Sequence, residues 1–203
     1  MPNSLDAELL CVRPPDMSVV LATIHALGWS APLPGATEVV YFDRDGEERT
    51  AASMEQLTRA FATGAGTGIG QDDDDKFLFA GPDSWLTEAN FRISVSHTHG
   101  SITEAEFSRL AMLWCGLARE VDLVAGYLCD RWGLETLDPA SMNRWFEGRG
   151  NLFAVIWDPQ RYRLTTKLGT QIAAGPVSCR LYQATWRDQP LEGQLRAALS
   201  AAP

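Results

Sequence analysis

Most of the usual marks of a catalytic chain are missing from these 203 residues. Only three histidines occur, His25, His97 and His99. The four cysteines, Cys11, Cys115, Cys129 and Cys179, include no Cys-x-x-Cys pair, which excludes zinc sites built from such pairs. No Gly-x-Ser-x-Gly elbow is present, so an α/β-hydrolase is disfavoured. The Gly-rich stretch 64–70 is closed by no Gly-Lys-Ser or Gly-Lys-Thr. It follows a helical pattern rather than a strand, and four aspartates come next, so a phosphate cradle is not expected. No run of about 18 apolar residues exists to form a transmembrane helix. Basic residues are also scarce, 17 against 26 acidic, for a formal charge of -9. General nucleic-acid binding needs cations to displace counterions from phosphates, and this balance opposes it.

The N-terminal residues Met-Pro-Asn-Ser-Leu-Asp-Ala-Glu lack the basic start and apolar core of a secretory signal. The expected location is therefore the cytoplasm. There the cysteines stay reduced, and the apolar neighbours of Cys11, Cys115 and Cys179 make them buried free thiols rather than nucleophiles.

What is present is ordinary for a globular protein: 45% hydrophobic and 21% charged residues, enough for one domain over 1–203. Leu9 to Val12 reads as a strand stopped by Pro14-Pro15, and Asp16 caps a helix over about 17–28. Ser30 to Gly35 reads as a loop. Val39 to Phe42, then Asp-Gly at 45–46, predicts a hairpin returning through Glu47 to Ala51. Ser53 and Gln56 form a capping box for a helix with Leu57, Ala60 and Phe61 inside. Four glycines in seven residues predict a flexible loop over 64–75. Lys76 to Ala80 and Asn90 to His99 read as strands, the second with clear alternation.

Thr103 and Glu106 form a second capping box. The helix it opens carries Phe107, Leu110, Trp114, Leu117, Val121 and Val124 at steps of three or four, a pattern that extends to about Trp132, with Gly116 and Gly126 as break points. Asp138-Pro139 opens a short helix to about Phe146. Leu152 to Trp157 predicts a central strand, Tyr162 to Thr166 an edge strand, Val177 to Trp186 another strand, and Leu191 to Ala202 a helix. Interleaved helices and hairpins predict an α+β fold: a mixed or mainly antiparallel sheet with helices largely on one face.

Two acidic segments stand out. Asp43, Asp45, Glu47 and Glu48 crowd the hairpin, and Asp72, Asp73, Asp74 and Asp75 follow the glycines. Both suit a docking surface for a basic partner. Trp85 lies near a turn and is a candidate interface anchor, a role in which Trp is enriched. A metal reading rests on His97 and His99, two apart at a strand end, with Glu104 as the third ligand. His-x-His-x4-Glu resembles the first metal motif of cupins, but the flanking glycines and a second His motif are missing, and Glu104 starts a helix. Zinc catalysis normally takes three protein ligands, so a site would need Glu104, His25 or Cys115 to converge. No cofactor is expected.

In its overall character, small, acidic and cytoplasmic with carboxylate clusters and no catalytic constellation, the chain resembles the immunity proteins of bacterial toxin–immunity systems. That resemblance implies a protein that binds a secreted toxin and blocks its basic cleft, with no nucleic-acid or membrane partner and no enzymatic activity. The alternatives are a small metal-dependent enzyme using His97 and His99, and an assembly protein with a homomeric interface.

Overall fold

The computed structural model describes residues 5–27, 38–71, 76–82, 91–97, 103–130, 152–165, 167–183, 185–186 and 189–201. Among them are strands β1 (Leu5–Cys11), β2 (Val39–Asp43), β3 (Glu48–Ala51), β4 (Gly66–Gln71), β5 (Lys76–Pro82), β6 (Phe91–His97), β7 (Leu123–Asp130), β8 (Leu152–Trp157), β9 (Thr170–Ala173), β10 (Ser178–Leu181), β11 (Thr185–Trp186) and β12 (Gln189–Pro190). The helices are α1 (Met17–Ala26), α2 (Met54–Ala62), α3 (Glu104–Glu120) and α4 (Leu191–Ser200). Ten strands form one sheet in the order β3-β2-β4-β5-β6-β1-β7-β8-β10-β9, and β11 and β12 make a separate pair. Every pairing is antiparallel, so the fold is α+β. Among the described residues, no helix is long and apolar enough to cross a membrane.

The four helices among the described residues lie on one face. Their buried residues join Leu5, Ala7, Leu9 and Cys11 of β1 in the larger core cluster. The opposite face holds a smaller cluster of Leu10, Val124, Tyr127, Leu152, Val155, Trp157 and Tyr162. Strand β1 sits between β6 and β7 and is buried along its whole length. The helix starts are capped as their residues demand. Asp16 accepts from the Ser18 amide at 2.8 Å, and Thr103 and Glu106 form a reciprocal capping box. Ser53 accepts from Gln56 N at 3.1 Å, but Gln56 Oε1 takes the Ala52 amide at 2.7 Å, one residue earlier than the capping box requires.

Four expectations are corrected. The Gly-rich stretch is not a loop over 64–71, because residues 66–71 form β4, laddered to β2 and β5. Gly64 ends α2 instead: its φ of 72° lets the Ala65 amide reach Ala60 O at 2.8 Å and its own amide reach Phe61 O at 3.1 Å, a Schellman stop. The glycines that follow are held by neighbours on both sides. The Tyr41 ring, 6.1 Å from that of Phe61, packs over Gly66. Helix α3 ends at Glu120 rather than near Trp132. Val121 is its C-cap, and Val124 and Gly126 belong to β7. Residues 162–165 are not a strand, and the edge strand on that side is β9. Strand β1 starts at Leu5, four residues before the apolar run that signals it. Residues 28–37 and 131–151, with the expected loop at Ser30 to Gly35 and the short helix to Phe146, lie outside the described residues.

Candidate functional site

The β2–β3 hairpin stands at one end of the sheet, with β3 as the edge strand. Its acidic residues divide by role. Asp43 is used by the turn: Oδ1 accepts from the amides of Asp45 (2.9 Å) and Glu47 (3.0 Å), and Oδ2 accepts from Arg49 Nε at 2.7 Å. Arg49 Nη2 also pairs with Glu47 Oε2 at 3.2 Å. Asp45, Glu47 and Glu48 are exposed, and Asp45 and Glu48 make no ion pair among the described residues. On the strand beside them Val40 is 46% exposed, an uncommon position for a large apolar side chain. In register, Val40 faces Thr50 and Phe42 faces Glu48, so these four residues share one side of the hairpin. The result is an apolar spot with one carboxylate, Glu48, on its side of the hairpin at a sheet edge.

The Arg49 guanidinium, followed by the amides of Glu47 and Asp45, holds the Asp43 carboxyl below its usual range. A lowered folded value means that the pairing supports the turn above the carboxyl's unfolded pKa and is lost as pH falls through the folded one. NMR titration of the Asp43 carboxyl should therefore give a midpoint below about 3.9, the ordinary value for Asp, and Arg49→Gln should move it upward. A midpoint at or above the ordinary value in the unsubstituted chain would remove Asp43 from the turn.

The segment Asp72, Asp73, Asp74 and Asp75 lies outside the described residues, as do Trp85 and His99. The strands around the tetra-aspartate are placed: Gln71 pairs with Lys76 across β4 and β5. Asp43 pairs with Gly66, at the other end of β4. Gln71 and Gly66 stand at opposite ends of β4, about 16 Å apart at the rise of a strand. His97 is the last residue of β6 and pairs with Leu5, at the sheet end where Lys76 begins β5. Glu104 is the exposed first residue of α3. Among the described residues, no group of three or more His, Cys, Asp or Glu is placed to hold a metal ion.

The four cysteines are free and buried, as expected. Burial, with Asp122 adding to it, pushes the Cys11 thiol up to about 12, and burial does the same for Cys115, to about 12, against the opposing charge of Arg119. Burial also raises Cys179. None of the three is a thiolate near neutral pH, so none is an activated nucleophile.

One polar cluster went unread in the sequence. Asp6 and Glu8 occupy the face of β1 opposite the helices and are 6% and 8% exposed. Ser94 Oγ donates to Glu8 Oε1 at 2.7 Å, and Arg92 Nε lies 3.7 Å from Glu8 Oε2. Tyr127 pairs with Glu8 from β7, and burial, followed by the charge of Glu8, raises its hydroxyl well above the ordinary value, so it stays protonated. The available signal was the period-two alternation Leu5-Asp6-Ala7-Glu8-Leu9, a strand with apolar and acidic sides. The charge-assisted hydrogen bond from Ser94 and the ion pair with Arg92 tie β1 to β6, with Tyr127 opposite Glu8 on β7. Comparison with family models, curated proteins and solved structures gave no match for this chain.

Proposed function

We propose that this chain is an acidic binding protein that neutralises a bacterial toxin by setting carboxylates against the toxin's basic cleft. The observation that carries this reading is the exposed hairpin edge, where Glu48 shares one side with the exposed Val40 and the exposed Asp45 and Glu47 stand at the turn. These carboxylates steer a basic partner toward the hairpin, and the apolar spot beside Glu48 holds the complex once water is expelled. The overall charge of -9 favours the same partner. Asp43 contributes by shaping the turn, and the aspartates at 72–75 add to the overall negative charge. The absence of a second copy from this reading follows from charge, because two such edges repel.

The test is co-expression with a toxin domain encoded beside this gene, followed by pull-down and binding kinetics on the full chain. The protein should protect the cells and form a complex. Replacing Asp45, Glu47 and Glu48 with Asn, Gln and Gln should slow association by about tenfold or more at low salt, within the range known for electrostatic steering. The difference should shrink as salt is raised, since exposed charges are screened over about 8–10 Å. Val40→Asp should act on dissociation instead. Cells that die with the protein present, and no complex in the pull-down, would overturn the proposal.

A further inference from the structure

The turn of the β2–β3 hairpin sets which way the backbone groups of β3 point. The Asp43 amide donates to Glu47 O at 3.0 Å, and the Gly46 amide donates to Asp43 O at 3.1 Å, with Gly46 at a φ of 78°. This is a three-residue loop closed by a glycine bulge, and Asp43 with Glu47 is its first hydrogen-bonded pair. Pairs in an antiparallel ladder alternate between bonded and non-bonded. Phe42 with Glu48 and Val40 with Thr50 are therefore non-bonded pairs. The N–H and C=O of Glu48 and of Thr50 point away from β2. On that side β3 has no neighbouring strand among the described residues, and Glu48, Arg49 and Thr50 are all exposed. The open ladder lies beside the exposed Val40, which shares its side of the hairpin with Thr50 and Glu48.

The other edge of the sheet is guarded. On β9 the Ile172 carbonyl receives Arg196 Nη1 from α4 at 2.9 Å, and the Ala173 carbonyl receives Gln171 Nε2 at 3.3 Å. Strand β3 carries charge instead, and charge selects among partners. Arg49 is held by Asp43 and Glu47. Arg44 and Asp45, of opposite sign, stand in the turn. Glu48 is the charge left beside the open ladder and Val40, and it favours Lys or Arg opposite it. A second copy of β3 does not fit. Pairing centred on Glu48 or on Arg49 sets like charges opposite each other. Pairing centred on Thr50 calls on Ala52, whose amide already donates to Gln56 Oε1 at 2.7 Å.

We propose that the partner adds an extended segment to β3 as a further antiparallel strand, bonded to the backbone of Glu48 and Thr50. Its Lys or Arg lies opposite Glu48, and an apolar residue two positions away lies opposite Thr50 and reaches toward Val40. The mode is strand addition, in which main-chain hydrogen bonds supply affinity and alternate side chains supply specificity. This inference rests on the toxin reading for the basic character of the partner, and it adds how that partner is held.

The probe is a capped synthetic peptide of about seven residues, with Lys at its centre, Val two residues to either side and Thr between them. A second peptide has the same side chains, with the Lys and Val amides N-methylated. A third carries Glu in place of Lys. Each is titrated into the full chain, with amide hydrogen exchange read by NMR. At about ten times its Kd, the Lys peptide should slow exchange at Glu48 and Thr50 by about tenfold. Arg49 and Ala51, already bonded to β2, should not change. The N-methylated peptide should bind at least tenfold more weakly. Thr50→Pro removes one outward N–H at an edge position where proline is tolerated, and it should weaken the Lys peptide by a similar factor. Glu48→Lys should reverse the preference between the Lys and Glu peptides. Equal binding of the N-methylated peptide, unprotected amides at Glu48 and Thr50, or no binding at millimolar Lys peptide would overturn the proposal. So would self-association of the free chain that Thr50→Pro abolishes, which would assign the edge to a second copy. The peptide result decides the strand mode, and co-expression with the toxin decides the toxin reading, so the two fail separately.

Discussion

Trp114→Ala should destabilise the chain by about 3–5 kcal/mol, the usual cost of truncating a buried aromatic side chain. Trp114 is 1% exposed and lies on the sheet side of α3, among the largest fully buried side chains. Its loss opens a cavity between α3 and the centre of the sheet. It also removes a hydrogen bond: the indole Nε1 donates to the Glu8 carbonyl at 3.0 Å, tying the main core helix to the central strand. Trp114→Phe separates the two effects. It keeps most of the volume and loses the donor, so it should cost about 1–3 kcal/mol, the range for a buried acceptor left without its partner. Denaturant unfolding gives both values. A loss below about 1 kcal/mol for the Ala variant would mean that α3 is not the core helix, since total stabilities run only about 5–15 kcal/mol.

Local signals were legible where one residue type has one physical use. Asp16, Ser53 and Thr103 cap the helices they were expected to open, because a short polar side chain before an apolar period has few other roles. The hairpin at 39–51 followed from Asp-Gly between β-rich runs, and β8 from an unbroken apolar run. The failures come from tertiary context. Gly66, Gly68 and Gly70 have poor strand propensity, and only the ladders to β2 and β5 on both sides make β4 a strand. Val121 and Val124 continued the helical period of α3 by coincidence, and nothing local separates a helix stripe from the first residues of a buried strand. On the site, sequence located the acidic hairpin but not the division of labour within it. That Asp43 serves the turn while Asp45 and Glu48 face solvent depends on where Arg49 reaches from β3. Glu8 was invisible for a related reason, since a carboxylate in a central strand is credible only when Ser94 and Arg92 are known to be beside it.

Gly126→Ala should cost about 3 kcal/mol or more, although Ala is intrinsically better than Gly in a strand interior by roughly 0.5–1 kcal/mol. The reason is a close approach at the centre of the sheet. A Cβ on Gly126 would lie 2.4 Å from the Glu8 carbonyl oxygen, 2.7 Å from Leu9 Cδ2 and 3.1 Å from Ile156 Cγ2. The leucine can rotate, but the oxygen belongs to β1, which β6 and β7 grip from both sides, so it cannot retreat without breaking a ladder. Overpacking of a well-filled core usually costs about 1–3 kcal/mol, and a backbone obstacle moves this case to the upper end or past it. Gly126→Val should leave little folded protein. The same carbonyl receives the Trp114 indole N–H, so the glycine keeps open the space in which that bond forms. Gly126→Ala should accordingly shift the indole N–H resonance of Trp114, and its energetic cost should not add to that of Trp114→Phe, because both changes act on one oxygen. A neutral or stabilising Gly126→Ala, with the indole resonance unmoved, would show that β1 and β7 lie farther apart than this register requires.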